Sequence, residues 1–142
     1  MAVTHHPRTD LAQPVTWGFA FGALNVVAPV AFWWLDLATV HALVISLIAA
    51  VYIGFAVADG RSQVIATESA VAGLFLVLAA VGVAASPWVL VAAYAGHGGK
   101  DLWQHRTQFV AGTRWWPPFC AAVDGVAAAA LAVLILTGVQ FH

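Results

Sequence analysis

The sequence predicts an all-α integral membrane protein, a compact bundle of five transmembrane helices with its N-terminus in the cytoplasm and its C-terminus outside. Of the 142 residues, 63% are hydrophobic and only 8% are charged, and the mean hydropathy is +0.91. A soluble domain usually carries about 25% charged residues, and a chain this short has too much surface to bury so many apolar side chains. Several apolar runs also approach the roughly 20 residues that a membrane-spanning helix needs.

The whole chain, residues 1–142, is predicted to form one transmembrane domain. Its five spans cover residues 14–34, 37–58, 63–85, 87–105 and 117–138. Prolines begin the first, fourth and fifth spans, where a missing backbone N–H costs little. Glycines within the spans predict close helix packing, and those around His97 predict a fourth helix that is tightly packed, kinked or partly unwound there. Residues 106–116 are long enough for an interfacial segment.

The basic residues predict the orientation of the bundle. Five spans place alternate connectors on opposite sides, and all the Lys and Arg residues then fall on one side: Arg8, Arg61, Lys100, Arg106 and Arg114. Because basic residues concentrate in cytoplasmic connectors, this side is predicted to be cytoplasmic. The tryptophans lie near predicted span ends, where interfacial belts favour them. The predicted location is therefore the cell membrane, with several crossings.

Composition also limits the partners and cofactors. The formal net charge of −1 suggests no nucleic-acid partner, and the single cysteine, Cys120, excludes an intramolecular disulfide. No Cys-x-x-Cys-His motif for haem attachment occurs, and no cleavable signal peptide is evident. The predicted partners are the lipid bilayer and a lipid-like small molecule. The chain is compatible with a homo-oligomer or a larger membrane complex.

The stretch 94–108 concentrates polar and ionisable residues in an otherwise apolar chain. Within it, His97, Asp101 and His105 are spaced four residues apart. On a helix, each lies about 40° around the axis from the one before, so the three share one face over two turns. We therefore expect this face to carry the chemistry of the protein.

Two acids on other spans are predicted to lie at the same depth. With a rise of about 1.5 Å per residue, Glu68 lies roughly 8 Å and Asp124 roughly 10 Å from the cytoplasmic ends of their spans. Asp101 lies at a similar depth, and an ionisable group at the centre of a span costs about 2.5–3.5 kcal/mol. A shared polar layer near the cytoplasmic leaflet is therefore predicted, with His105 and Asp59 closing it towards water.

Three interpretations of this layer remain open. In the first, His97, Asp101 and His105 bind a divalent metal ion, zinc or iron, with Glu68 and Asp124 as further ligands or as catalytic acid and base. In the second, the same groups perform metal-free acid–base chemistry or relay protons. In the third, the buried acids form structural pairs with the basic residues Lys100, Arg106 or Arg114. Whether His41, Asn25 and Asp59 join the site is also left open.

The leading functional prediction is a small intramembrane enzyme that hydrolyses or oxidises a lipid-like or other hydrophobic substrate at this metal site. Its ingredients are similar to those of membrane metal-dependent hydrolases acting on lipids, which also use His and Asp from several spans. This chain has fewer spans and lacks their arrangement of motifs. The alternative is a non-catalytic membrane subunit, or a proton- or ion-conducting protein, whose buried groups form a metal-free relay or structural network.

Overall fold

A computed structural model describes residues 10–142 and shows a bundle of helices, which confirms the all-helical part of the predicted fold. The described residues form five helices: α1 (Ala12–Ala31), α2 (Leu37–Asp59), α3 (Ser62–Ala84), α4 (Trp88–Thr107) and α5 (Trp116–Leu136). By length and composition, α1, α2, α3 and α5 can each cross a membrane, which indicates a membrane protein. The remaining helix, α4, has 20 residues but carries Lys100, Asp101 and Arg106.

The helix ends differ from the predicted spans by one to three residues at every end but the start of α2. The first helix stops at Ala31 instead of residue 34, because the chain turns after Pro29 and the Phe32 N–H donates to the Pro29 carbonyl. Helix α4 continues to Thr107, and Gln108 ends it in the left-handed conformation with φ of 50°. The irregular connector is therefore residues 108–115, shorter than the predicted interfacial segment 106–116. Prolines occupy the first turn of α5, as predicted.

Helix α5 packs between α4 and α1, while α2 packs on α3 and α3 on α4. Two glycines bring α1 close to α5. A Cβ atom at Gly18 would collide with the carbonyl oxygen of Phe119, and one at Gly22 would lie 2.7 Å from the Cβ of Val126. The close packing predicted from small residues is thus present at this helix pair.

The α2–α3 turn and the α4–α5 loop lie at the same end of the bundle and are bound to each other. Asp59 forms an ion pair with Arg61 at 2.6 Å, and the Arg61 guanidinium donates to the Phe109 carbonyl at 2.7 Å. The Ala111 N–H in turn donates to the Asp59 carboxylate at 2.7 Å. We call these four residues the loop anchor. Asp59, which the sequence predicted to close the polar layer towards water, therefore bonds to Arg61 and to the α4–α5 loop at the end of α2.

The opposite end of the bundle holds the α1–α2 connector and the C-terminus. The Asp36 carboxylate caps α2 by accepting from the Thr39 N–H at 2.7 Å, and this hydrogen bond lowers the pKa of Asp36. The Ala38 N–H donates to the Phe141 carbonyl at 3.2 Å, which ties the C-terminal residues to the start of α2. Alternate connectors therefore occupy opposite ends, as the sequence predicted.

Two apolar clusters leave a polar layer between them. The larger, which includes Ile45, Leu90 and Leu131, fills the half of the bundle near Phe141. The smaller contains Tyr52, Ala56, Val64 and Val110 and lies under the loop anchor. The imidazole of His97 lies between these clusters, with its ring centre 4.8 Å from that of Phe75 and 5.9 Å from that of Tyr52.

Candidate metal centre

The inward face of α4 supplies the polar groups of the site. His97, Asp101 and Gln104 are each 0% exposed. At about 100° per residue, Asp101 lies roughly 40° to one side of His97 and Gln104 roughly 20° to the other, so all three point into the bundle. His105 is turned about 80° from His97 and is only partly buried. Each step of four residues adds about 40°, so after two steps His105 no longer lies on the inward face of α4.

His97 and two aspartates form a compact group, which we call the His–Asp triad. The Nδ1 atom of His97 lies 2.8 Å from Asp124 Oδ2 and 3.3 Å from Asp101 Oδ2. One ligand atom from each of the three residues lies within 4.8 Å of the others. Asp124 comes from α5, and it reaches α4 because Gly98 leaves room: a Cβ there would be 3.3 Å from the Cβ of Asp124.

Glu68 lies beside the triad and is paired with a lysine. Its Oε2 atom accepts from Lys100 Nζ at 2.6 Å, and Nζ also lies 3.4 Å from the ring centre of Tyr52. The side chain of Glu68 is 1% exposed and that of Lys100 is 13% exposed. The aromatic face adds a cation–π attraction to the ion pair. Glu68 is therefore charge-compensated by Lys100, one of the pairings that the structural interpretation allowed.

The predicted site residues are thus distributed unevenly. His97, Asp101 and Asp124 come together, and Glu68 adjoins them through Lys100. His105 lies outside the triad and lines an outer groove between α1, α4 and α5. Helix α4 is continuous at His97, so of the outcomes predicted from the neighbouring glycines, tight packing at Gly98 is the one observed.

The other polar residues left open by the sequence lie away from the triad. His41 belongs to the opposite half, where the Tyr94 hydroxyl donates to its carbonyl oxygen at 3.1 Å. Asn25 lines an apolar groove on the outside of the bundle. Neither residue belongs to the metal-compatible group found among residues 10–142.

Sequence reasoning missed two residues of this region, Gln104 and Tyr52, and named Lys100 only as one of several possible ion-pair partners. Lys100 was interpreted mainly as a topology signal, although its position next to Asp101 allows it to reach the interior. Gln104 is seven residues from His97, two helical turns away on the same face, and this spacing was a usable signal. Tyr52 carried no such signal, because nothing in the sequence distinguishes it from an ordinary core tyrosine.

The charges of the site define what it can bind. Glu68 and Lys100 cancel each other, so the two carboxylates of the triad remain to be balanced. A neutral His97 with two ionised aspartates carries a charge of −2, which a divalent cation would match. Protons can achieve the same neutrality, with an imidazolium at His97 and one protonated carboxyl group. Because an unbalanced charge is costly inside a bundle, these two states are the chemically reasonable ones.

An apolar groove runs along the outside of the bundle between α1, α2 and α5, and α1 barely touches α2 there. Its volume is about 410 Å³, and among the described residues that line it Asn25 is the only amide side chain. Cys120 and Val123 form part of its wall, and Val123 directly precedes Asp124. Helix α5 therefore contributes neighbouring residues to the groove and to the triad.

Comparison of the chain with models of protein families, with curated proteins and with solved structures finds no match. A helical bundle supports many unrelated functions, so the function of this protein has to be inferred from the chemistry and placement of the residues in the site.

Proposed function

We propose that this protein is a small intramembrane enzyme whose His–Asp triad binds a divalent metal ion near the cytoplasmic leaflet. The observation that carries the proposal is the convergence of three fully buried ligand groups from two helices, within 4.8 Å of one another. Imidazole and carboxylate together suit zinc or iron. When bound, such an ion would polarise a substrate oxygen or activate water or oxygen for hydrolysis or oxidation.

The chain's own residues would hold and tune this centre. His97 would offer a ring nitrogen, and Asp101 and Asp124 would offer carboxylate oxygens, so the ligand set balances a charge of +2. Gly98 would keep α4 and α5 close enough for both helices to contribute. Glu68, held by Lys100 at 2.6 Å, would be the neighbouring carboxylate available as an acid or base.

We further propose five spans, with the loop anchor at the cytoplasmic side. The support is that α4 turns its polar groups inward, while Leu102 and Trp103 on its outer side are 53% and 46% exposed. Arg61, Arg106 and Arg114 lie in or beside the two connectors at the anchored end, as cytoplasmic connectors favour. Arg8, assigned by the sequence to the same side, lies outside the described residues.

The proposed substrate is lipid-like. The groove between α1, α2 and α5 is lined almost entirely by apolar side chains, and it lies on the outer surface of helices that can cross a membrane. A hydrocarbon chain is the natural occupant of such a surface in a bilayer. Val123 in the wall of the groove directly precedes Asp124, which supports a lipid-like substrate for the proposed centre.

Elemental analysis of the purified protein tests the metal proposal. Wild type is expected to carry about one equivalent of zinc or iron, and His97→Ala to lose most of it, because the imidazole is a required ligand. His105→Ala is the matched control and should retain the metal, since His105 lies outside the triad. Wild type without stoichiometric metal, or metal that survives His97→Ala, would refute the proposal.

The competing candidate is a metal-free proton relay or structural network, as in a proton-conducting protein or a non-catalytic subunit. The observation that favours it is the 2.8 Å hydrogen bond between His97 and Asp124, together with the Lys100–Glu68 ion pair. These contacts already compensate part of the buried charge. Proton flux into vesicles containing metal-free protein, abolished by Asp124→Asn, would select this candidate over the metal enzyme.

A further inference from the structure

Several buried side chains in and around the triad have polar atoms without a hydrogen-bond partner among residues 10–142. Four of them contribute the Tyr52 hydroxyl, Glu68 Oε1, Asp101 Oδ1, and the oxygen and nitrogen of the Gln104 amide. Each of the four residues is at most 1% exposed. Inside a membrane bundle an unpaired polar atom costs several kcal/mol. We call these residues the polar cluster.

The polar cluster occupies the space between the triad and the anchored end of the bundle. Lys100 joins two of its members, because its Nζ atom bonds to Glu68 at 2.6 Å and lies over the Tyr52 ring at 3.4 Å. Gln104 lies one turn of α4 beyond Asp101, towards the α4–α5 loop. The cluster therefore leads from the triad towards the connectors.

The chemistry of the unpaired atoms favours water as the ligand. The Tyr52 hydroxyl and the Gln104 amide nitrogen donate hydrogen bonds, whereas the carboxylate oxygens and the Gln104 amide oxygen accept them. A cation would satisfy only the acceptors, and an anion only the donors. Water both donates and accepts, and buried water typically makes about three hydrogen bonds to otherwise unpaired groups.

The α4–α5 loop covers the outer end of the cluster. Val110 is 0% exposed and packs against Tyr52, Ala56 and Val64. Its two neighbours in sequence are held by the loop anchor: the Phe109 carbonyl accepts from Arg61 and the Ala111 N–H donates to Asp59, each at 2.7 Å. The position of Val110 therefore depends on the Asp59–Arg61 ion pair.

We propose that the polar cluster binds internal water, and that the α4–α5 loop, through Val110, controls the exchange of this water with the cytoplasmic side. Water held there reaches the triad along Asp101, which belongs to both groups. This inference deepens the proposed function and rests on its membrane setting, since it supplies the hydrolytic water of the metal site. The water site does not require a bound metal. The cysteine and Tm measurements below can therefore refute the water site without bearing on metal binding, and metal analysis can refute the metal site without bearing on the water.

Cysteine accessibility tests the proposal. Cys120 is the single cysteine, so Cys120→Ala provides a cysteine-free chain for reconstitution into phospholipid vesicles. In this background, Gln104→Cys is compared with Leu102→Cys, whose parent side chain faces outward at 53% exposure. A small charged methanethiosulfonate, present on both sides of the membrane, reacts with thiolates, which form only where water reaches the thiol.

The cysteine at position 104 is expected to react at least tenfold faster than that at position 102. Adding Arg61→Ala should raise the rate at position 104 several-fold further, because the loop is released, and leave the rate at position 102 unchanged. Equal, slow reaction at both positions, with and without Arg61→Ala, would overturn the proposal.

A second measurement covers the case in which the cysteine variant does not fold. If the cluster is dry, Gln104→Leu removes a buried unpaired amide and raises the Tm of the protein. If water satisfies the amide, the substitution loses those hydrogen bonds, and the Tm stays the same or falls. A Tm rise of several degrees would contradict the proposal, whatever the cysteine variant shows.

Discussion

Lys100→Met is expected to destabilise the bundle by about 3–5 kcal/mol, the typical cost of removing one partner from a buried ion pair. The loss leaves the Glu68 carboxylate, 1% exposed, without its countercharge. Methionine retains much of the aliphatic stem that packs on Tyr52, so the missing charge accounts for most of the effect. Chemical denaturation in detergent micelles, followed by helical circular dichroism, measures the change in unfolding free energy.

The matched variants separate charge from packing. Adding Glu68→Gln to Lys100→Met removes both charges and should recover most of the lost stability, because no unpaired ion remains. Arg106→Met removes a basic residue from the exposed end of α4 and should change the unfolding free energy by less than about 1 kcal/mol. The account of the Glu68–Lys100 pair fails if Lys100→Met is as stable as Arg106→Met.

Asp124→Asn is expected to abolish the thermal stabilisation that zinc or iron(II) gives the wild-type protein. Asparagine keeps the size of the side chain but removes the charge that α5 contributes to the triad. Losing a residue that only hydrogen-bonds to a metal ligand lowers metal affinity roughly 10- to 100-fold. Asp124 is proposed to bind the metal directly, so its loss should lower the affinity for the metal by more than this. Because a ligand that binds only the folded state raises its stability, Tm titrations against the metal ion measure this loss.

His105→Ala serves as the control for the same titration. It removes an ionisable residue from α4 without altering the triad, so the metal-dependent rise in Tm should match that of the wild type. A wild-type response from Asp124→Asn, or loss of the response in His105→Ala, would move the metal site away from the triad.

The polar layer was predictable because helix geometry is regular. A fixed rise per residue placed Glu68, Asp101 and Asp124 at one depth, and the structure joins Asp124 to His97 and Glu68 to the neighbouring Lys100. The alternation of connectors between the two ends was predictable for the same reason. Both predictions need only the positions of residues along helices of similar length in one bundle.

Which helices pack together, and which side chains pair, was not predictable in the same way. With 3.6 residues per turn, His105 lies off the face of α4 that carries His97, whereas Gln104 lies on it. The regular four-residue spacing of His97, Asp101 and His105 does not reveal this difference. Lys100 turns inward because Glu68 lies opposite on α3, a contact fixed by tertiary packing. The loop anchor likewise joins residues about 50 positions apart, beyond any local pattern.

The central claim is that His97, Asp101 and Asp124 bind one divalent metal ion. X-ray absorption at the metal K edge, on protein loaded with one equivalent of zinc or iron(II), tests it most directly. The account predicts a first shell of nitrogen and oxygen only, with the scattering pattern of a single imidazole and without sulfur. A sulfur ligand from Cys120, a second imidazole, or the spectrum of the free aqueous ion would contradict it.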